Sequence, residues 1–314
     1  MTLACISMLV SNMFELWVPI TLAAAFLQNL RSALQKHLKG RLSTAGATMT
    51  RFIYAVPFAL LYVLVLNTQF DMPWPQTSAI FLFYMAVGGI AQIAATALLV
   101  YLFSFRNFAV GTTYSKTETV QTAIFGAVVL GDPVSAGAVA AILVSLAGVV
   151  ALSVAKEAAT WRSLLTSWTS RTALIGLASG ACFGISAIAY RAASLSLGGE
   201  GFLMQAGFTL ACVTVFQTLI MAVYVVIREP GELLRVIKAW RVAVIVGLAG
   251  MSASACWFTA MTIQNAAYVR TLGQIELVFT FLVSVLLFRE KPTWVEVLGI
   301  VLVMAGILLL LQTR

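Results

Sequence analysis

Charge is what this sequence has least of. Only 10% of its 314 residues are Asp, Glu, Lys or Arg, while 61% are hydrophobic; a water-soluble domain of this size carries about 25% charged residues. A chain so short of polar surface cannot cover its apolar residues in water, and a lipid bilayer removes that need. Histidine is nearly absent as well. His37 stands alone, which leaves no material for a His-based zinc site or a Ser-His-Asp triad, and no nucleophile–base constellation points to an enzyme. The four cysteines, Cys5, Cys182, Cys212 and Cys256, all lie in apolar segments without CxxC spacing, the pattern of reduced, buried thiols. There is no phosphate-cradling glycine loop, so ATP is not expected as the energy source. No dense acidic cluster suggests a metal, and no cofactor is expected. The net charge of +8 would suit nucleic acid if the bases shared one solvated face. They sit singly or in small groups between apolar runs instead, so no nucleic-acid partner is expected.

What the chain has in abundance is apolar runs of the roughly 20 residues that a helix needs to cross a bilayer. They fall at 14–35, 48–67, 79–103, 108–130 and 135–154, then at 172–194, 202–227, 241–263, 266–288 and 294–311. Short connections hold breakers such as Asp132-Pro133, Pro230-Gly231 and Pro292. Trp17, Trp74, Trp240 and Trp294 stand near run ends, where indole favours the membrane–water boundary. The first run carries Glu15, lacks a basic leader and shows no clear cleavage site, so it reads as a retained helix. The expected fold is an all-α membrane protein with ten transmembrane helices.

The runs repeat. A shift of 158 residues lays Asn107 on Asn265, Glu118 on Glu276, Thr122 on Thr280 and Gly148 on Gly306; a shift of 155 aligns Leu22-Ala23 with Leu177-Ala178. Chance hydrophobic similarity would not also superpose two isolated carboxylates. The chain divides into a five-helix repeat at 14–154, an amphipathic connector at 155–171 and a second five-helix repeat at 172–311. Five is odd, so the repeats must cross the membrane in opposite senses, the inverted arrangement of many secondary transporters. Loop charges test that count independently. Thirteen Lys and Arg fall on one face, from Lys36 through Lys291, and only Arg191 and Arg314 on the other. By the positive-inside rule the basic face is cytoplasmic, with both termini outside. The 155–171 connector and a second segment, 228–241, place Leu and Trp at helical spacing among bases, as short helices in the headgroup plane do.

The charges expected to be embedded in the membrane are few: Arg31, Arg51, Lys116, Glu118, Arg270 and Glu276. Each costs at least about 2.5–3.5 kcal/mol at mid-membrane and so needs a partner or a wet cavity. Glu118 and Glu276 fall near the centres of the fourth and ninth runs, at equivalent depth. Lys116 cannot pair with Glu118 on one helix, because two residues turn it by about 200°. Glu118 has Gln121 and Thr122 on its face, whereas the stripe of Glu276 is drier. Gln28, Arg31 and Gln35 form a polar stripe on the first helix. Arg51 opens the second run, where its side chain can snorkel to the interface. Gln274, Trp257 and Tyr101 are further candidates to line a pocket, and Gly176, Gly180 and Gly184 form a face for close helix packing.

Arg51-Phe52-Ile53-Tyr54-Ala55, the stretches from Glu118 to Asp132 and from Glu276 to Glu290, and the glycine patterns around Gly148 and Gly306 resemble the drug/metabolite transporter superfamily, in particular its ten-helix members with two EamA-type repeats. The resemblance covers nearly the whole chain. It implies a secondary transporter, exporter rather than importer, moving a small organic metabolite or drug across a bacterial-type inner membrane by alternating access. The substrate and coupling-proton candidates are Glu118, Glu276, Lys116, Arg31, Gln28, Gln274, Trp257 and Tyr101. Three features depart from the family, one being Lys116 beside the glutamate. The central glutamates are followed by Thr119 and Leu277 where proline is common, which predicts straighter fourth and ninth helices. Family members usually keep both termini in the cytoplasm, against the charge count here. The competing reading is a non-transporting accessory or lipid-handling scaffold whose charges only hold helices together. Expected partners are a small-molecule substrate and the bilayer; a homo-oligomer is left open.

Overall fold

The computed structural model describes residues 15–38, 42–102, 105, 113–156, 169–198, 201–286, 289 and 291–313. Among these the regular structure is entirely helical. In chain order the helices are α1 Trp17–Leu38, α2 Thr44–Ile53, α3 Val56–Gln69, α4 Ala79–Leu102, α5 Glu118–Leu130, α6 Ala136–Lys156 and α7 Arg171–Ser196. They continue as α8 Phe202–Arg228, α9 Glu232–Lys238, α10 Trp240–Ile263, α11 Ala266–Gly273, α12 Ile275–Leu286 and α13 Trp294–Thr313. Seven spans among the described residues are long and apolar enough to cross a membrane, α2 and α3 counting as one. The expected ten exceed this number for a local reason. The polar stripe lowers the hydropathy of α1, and among the described residues the fourth and ninth runs are broken into pieces each too short to span.

Three expected helices are interrupted. The second starts at Thr44, capped by the Ser43 hydroxyl accepting from the Gly46 amide at 3.0 Å, and breaks at Tyr54-Ala55 before resuming as α3. Pro57 in the first turn of α3 cannot donate to the preceding turn. This earlier start also corrects the reading of Arg51. It lies two turns inside α2, and its stem comes within 3.8 Å of the Cβ position of Gly250, ten residues into α10. The fourth run has a helical turn at Thr113–Ser115, a break at Lys116-Thr117 and then α5. The ninth breaks at Gln274, between α11 and α12. Residues 106–112 and 287–288 of these runs, and 157–168 of the connector, lie outside the described residues.

The expectation of straighter fourth and ninth helices is therefore overturned. The breaks need no proline because each is a tight i→i+3 turn: the Lys116 amide donates to the Thr113 carbonyl at 3.1 Å, and the Gln274 amide to the Thr271 carbonyl at 3.2 Å. These two bonds are the same bond in the two repeats, 158 residues apart. Glu118 and Glu276 consequently stand in the first turns of α5 and α12, within their apolar runs but at helix starts.

Close contacts divide the chain into two compact units that do not follow the repeats; each takes segments from both. One comprises residues 1–22, 91–188 and 264–314, the other 23–90 and 189–263. In the first, α6 and α13 pack without room for side chains. A Cβ on Gly148 would lie 2.6 Å from the Gly299 carbonyl, and one on Gly306 2.6 Å from the Ser145 amide. Residue numbers rise along α6 as they fall along α13, so these repeat-equivalent helices run antiparallel, with glycines that permit backbone contact. The Ser135 hydroxyl donating to the Thr313 carbonyl at 2.6 Å continues the same register to the chain end. Gly131, at φ +65°, closes α5 in the left-handed conformation that only glycine adopts freely.

In the second unit, Ala55, Ala59, Val63 and Leu66 from the α2–α3 span pack against Met204, Leu210 and Val213 of α8, with Tyr190 and Phe258 stacked at 4.6 Å. The segment 228–241 forms α9 and its flanks. Leu234, Ile237 and Trp240 point outward, while Val236, absent from the expected stripe, is the fully buried residue.

Candidate functional site

Four charges meet in the first unit where the two breaks come together. Lys Nζ of residue 116 lies 3.9 Å from Glu276 Oε1, and Arg270 Nη1 lies 3.9 Å from Glu118 Oε1. The pairs are crossed: each base reaches the acid of the other repeat. Local helix electrostatics explains the placement. Arg270 lies in the last turn of α11 and Lys116 just after the Thr113–Ser115 turn, where carbonyl ends attract cations. Both glutamates sit in first turns, where amide ends attract anions. Each break thus presents a cation and then an anion at helix ends that favour them.

The geometry is that of loose pairing. A separation of 3.9 Å is longer than a charge-assisted hydrogen bond, about 2.7–2.9 Å. What each pair contributes depends on how far water screens it. Lys116 is 43% exposed and its partner Glu276 22%, against 16% and 24% for Arg270 and Glu118, so screening weakens the lysine pair more. The two glutamates are themselves nearly equally accessible. Opening one pair exchanges a loose contact for water or solute, which makes the cluster a place where charge can be passed.

Polar groups brace the breaks from both sides. The Thr117 hydroxyl donates to the Tyr114 carbonyl at 2.7 Å, and Gln121 Nε2 to the Thr117 oxygen at 2.8 Å. Thr122 donates to the Glu118 carbonyl at 2.6 Å. The buried amide oxygen of Gln274, at the break itself, accepts from the Ser145 hydroxyl. Asn265 caps α11 through the Ala267 amide at 2.9 Å. The expected glycine face of α7 has its reason here, since a Cβ on Gly180 would lie 2.8 Å from the Ser115 carbonyl, on the turn before Glu118.

The other candidates fall elsewhere. Tyr101, 45% exposed, accepts from Arg171 Nη2 at 3.2 Å and packs edge-on to Phe105; none of these contacts is with the charged cluster. Gln28, Arg31 and Trp257 belong to the second unit. There Trp257 Nε1 donates to the Gln28 side-chain oxygen Oε1 at 3.1 Å, and the buried Arg31 runs its stem past Gly250. Arg270 and Ser145 are the members that sequence reading left out of the site. Arg270 was visible only as a surplus base, and Ser145 as one hydroxyl in an apolar run. A groove of about 390 Å³ between α5 and α6 is lined by Val120, Ile124, Val139 and Leu143 with Asp132 at its end, and includes none of the four charges.

Comparison with known proteins agrees with the repeat. A search of curated protein sequences found no match. A solved structure described only as a crystal structure of a protein superposes with a TM-score of 0.67, covering 93% of this chain and 95% of that one. At 16% identity the likeness shows a shared fold and nothing of function. The family model described as the EamA-like transporter family matches twice, over residues 15–154 and 170–312. Two copies of a membrane-spanning repeat in one all-helical chain, at nearly the periods that aligned Glu118 with Glu276, leave one conclusion: this multi-pass integral membrane protein belongs to the EamA-like transporter family.

Proposed function

We propose that the protein is a secondary transporter that exports a small organic solute across a bacterial-type inner membrane by alternating access, with proton coupling at the Lys116–Glu276 pair. The observation that carries this reading is the crossed ion pairing of two repeat-equivalent helix breaks. Interrupted spans are where repeat-built transporters bind solutes, because free helix ends supply charge and polar backbone in an apolar setting. Counting each interrupted run and α1 as spans restores ten crossings in two inverted sets of five. The antiparallel α6 and α13 support that inversion, and the basic-face count puts both termini outside.

The two pairs take different parts. The Arg270 guanidinium keeps its charge in proteins, so its pair always offers a solute a fixed cation. A proton taken by Glu276 on the outside opens its pair with Lys116 and displaces the solute; loss of that proton to the inside re-forms the pair and readmits solute, so proton and solute move in opposite directions. Glu276 is then the proton carrier and Glu118 the fixed counter-charge.

A ligand-stabilisation screen on purified protein supplies a solute, and transport into proteoliposomes tests the reading. Glu276→Gln should abolish pH-driven accumulation while preserving solute exchange, and Glu118→Gln should weaken solute binding at every pH. The rival reading, charges that only fasten helices, is favoured by the one-to-one match of bases to acids. It requires both variants to transport like the parent in folded protein, and that outcome defeats the proposal.

A further inference from the structure

Helix α9 and its flanks carry charge that the transport cluster does not use. Between Arg228 and Arg241 stand the bases Arg228, Arg235, Lys238 and Arg241 and the acids Glu229 and Glu232. The fold sorts them by sign. Glu232, 4% exposed, accepts from the Ser43 amide at 2.6 Å, and a Cβ on Gly46 would collide with its Oε1 at 2.3 Å. Glu229 accepts from the Ser43 hydroxyl. Both carboxylates are thus drawn to the N-terminus of α2, where the helix dipole favours them. The four bases are all exposed, Arg235 by 70% even while it touches Glu232 at 3.2 Å.

Apolar groups are sorted too. Val236 is buried among Leu42, Ala47, Ala243 and Val246, whereas Leu234, Ile237 and Trp240 are 55%, 51% and 56% exposed. The Arg241 guanidinium lies 5.8 Å from the Trp240 ring centre. At the far end of α9 the Tyr54 hydroxyl donates to the Val236 and Ile237 carbonyls at 3.1 and 3.3 Å. Tyr54 is itself the residue of the α2–α3 break. The helix is fastened at both ends and turns outward a face of large apolar side chains among cations.

We propose that this face docks on anionic phospholipid headgroups and thereby steadies the Tyr54–Ala55 break. The headgroup boundary satisfies both halves of the face: apolar side chains enter the acyl edge, and bases meet lipid phosphate and its net negative charge. Charge complementarity chooses this occupant over a zwitterionic lipid, because the acids that would repel an anionic surface are engaged against α2.

The experiment uses the purified full chain in a neutral detergent, with phosphatidylglycerol or phosphatidylcholine added. Thermal stability and lipid retention by native mass spectrometry are the readouts. Phosphatidylglycerol should be retained and raise Tm, and phosphatidylcholine should not. The R235Q/K238Q/R241Q variant should lose phosphatidylglycerol affinity on the order of 100-fold, while R235K/K238R/R241K should keep it. High salt should erase the response of the parent protein, since exposed charges are screened, and this arm stands even if the triple variant misfolds. Equal response to both lipids, a salt-independent response, or a folded glutamine variant that binds like the parent overturns the proposal.

Discussion

The break at Tyr54-Ala55 and the breaks at Lys116-Thr117 and Gln274 look alike as interrupted helices, yet they are built in opposite ways. The first is held by packing, with Gly247 pressed against Tyr54, and Pro57, which withholds a donor, accompanies it. The other two occur in sequences that permit continuous helix. They persist because charges at helix ends, braced by Thr117, Gln121 and Ser145, favour the open turn. A packed break belongs to the scaffold, and a charged break can respond to a proton or a solute. That difference is why function is assigned to the second kind.

The comparison can be broken most severely at the packed break. A Cβ on Gly247 would sit 2.5 Å from the Tyr54 Cβ and 2.6 Å from its backbone carbonyl, so Gly247→Val cannot be absorbed by side-chain motion. It should remove about 3 kcal/mol or more of stability, read as lost monodisperse protein or a Tm lowered by many degrees. A stable Gly247→Val protein would mean that the break is not held by packing.

At the charged breaks the expected effects are smaller and fall on function. Arg270→Gln strips Glu118 of its guanidinium at about a quarter exposure, so about 1–3 kcal/mol of stability should go, together with solute binding. A double-mutant cycle with Glu118→Gln should return most of that loss as coupling, and additive effects would show that the two charges do not interact. Gly180→Ala places a methyl 2.8 Å from the Ser115 carbonyl and should shift the Lys116–Glu118 turn. It should cost about 1–2 kcal/mol but impair transport far beyond that; transport falling only in step with folded protein would refute a positioned break. The Lys116–Glu276 cycle should yield a coupling below about 1 kcal/mol, because Lys116 is 43% exposed, and raised salt should diminish it further. Smallest of all is Pro57→Ala. With Tyr54 still bonded to α9 and Gly247 still in place, the break should survive and Tm should move by no more than a few degrees. A large change would make proline the cause and not a companion of the break.

Much of this molecule was legible without coordinates. Apolar length and sparse charge dictated helices in a bilayer, and the 158-residue period singled out Glu118 and Glu276 as equivalents. Proline reasoning misled for the ninth and fourth helices, because it counts lost donors and is blind to the i→i+3 turn that charged helix ends can hold open. It also passed over Pro57, whose apolar surroundings read as one continuous span. Arg51 was placed at an interface because the start of its helix was taken four residues too late.

The amino-acid sequence by itself determined that the chain is helical, membrane-embedded and twofold repeated, since burial in lipid and backbone hydrogen bonding leave few alternatives for such runs. It also supplied the balance of acids and bases in the fourth and ninth spans. Which base meets which acid was decided only by tertiary structure. Lys116 and Glu118 are two residues apart and cannot meet on one helix, so their partners had to come from the other repeat, 160 and 152 residues away. The outward turn of Leu234, Ile237 and Trp240, and the inward turn of Glu232, were decided in the same way. A helical pattern marks which residues share a face, but the direction of that face depends on what the neighbouring helix offers, here the open amides at the start of α2.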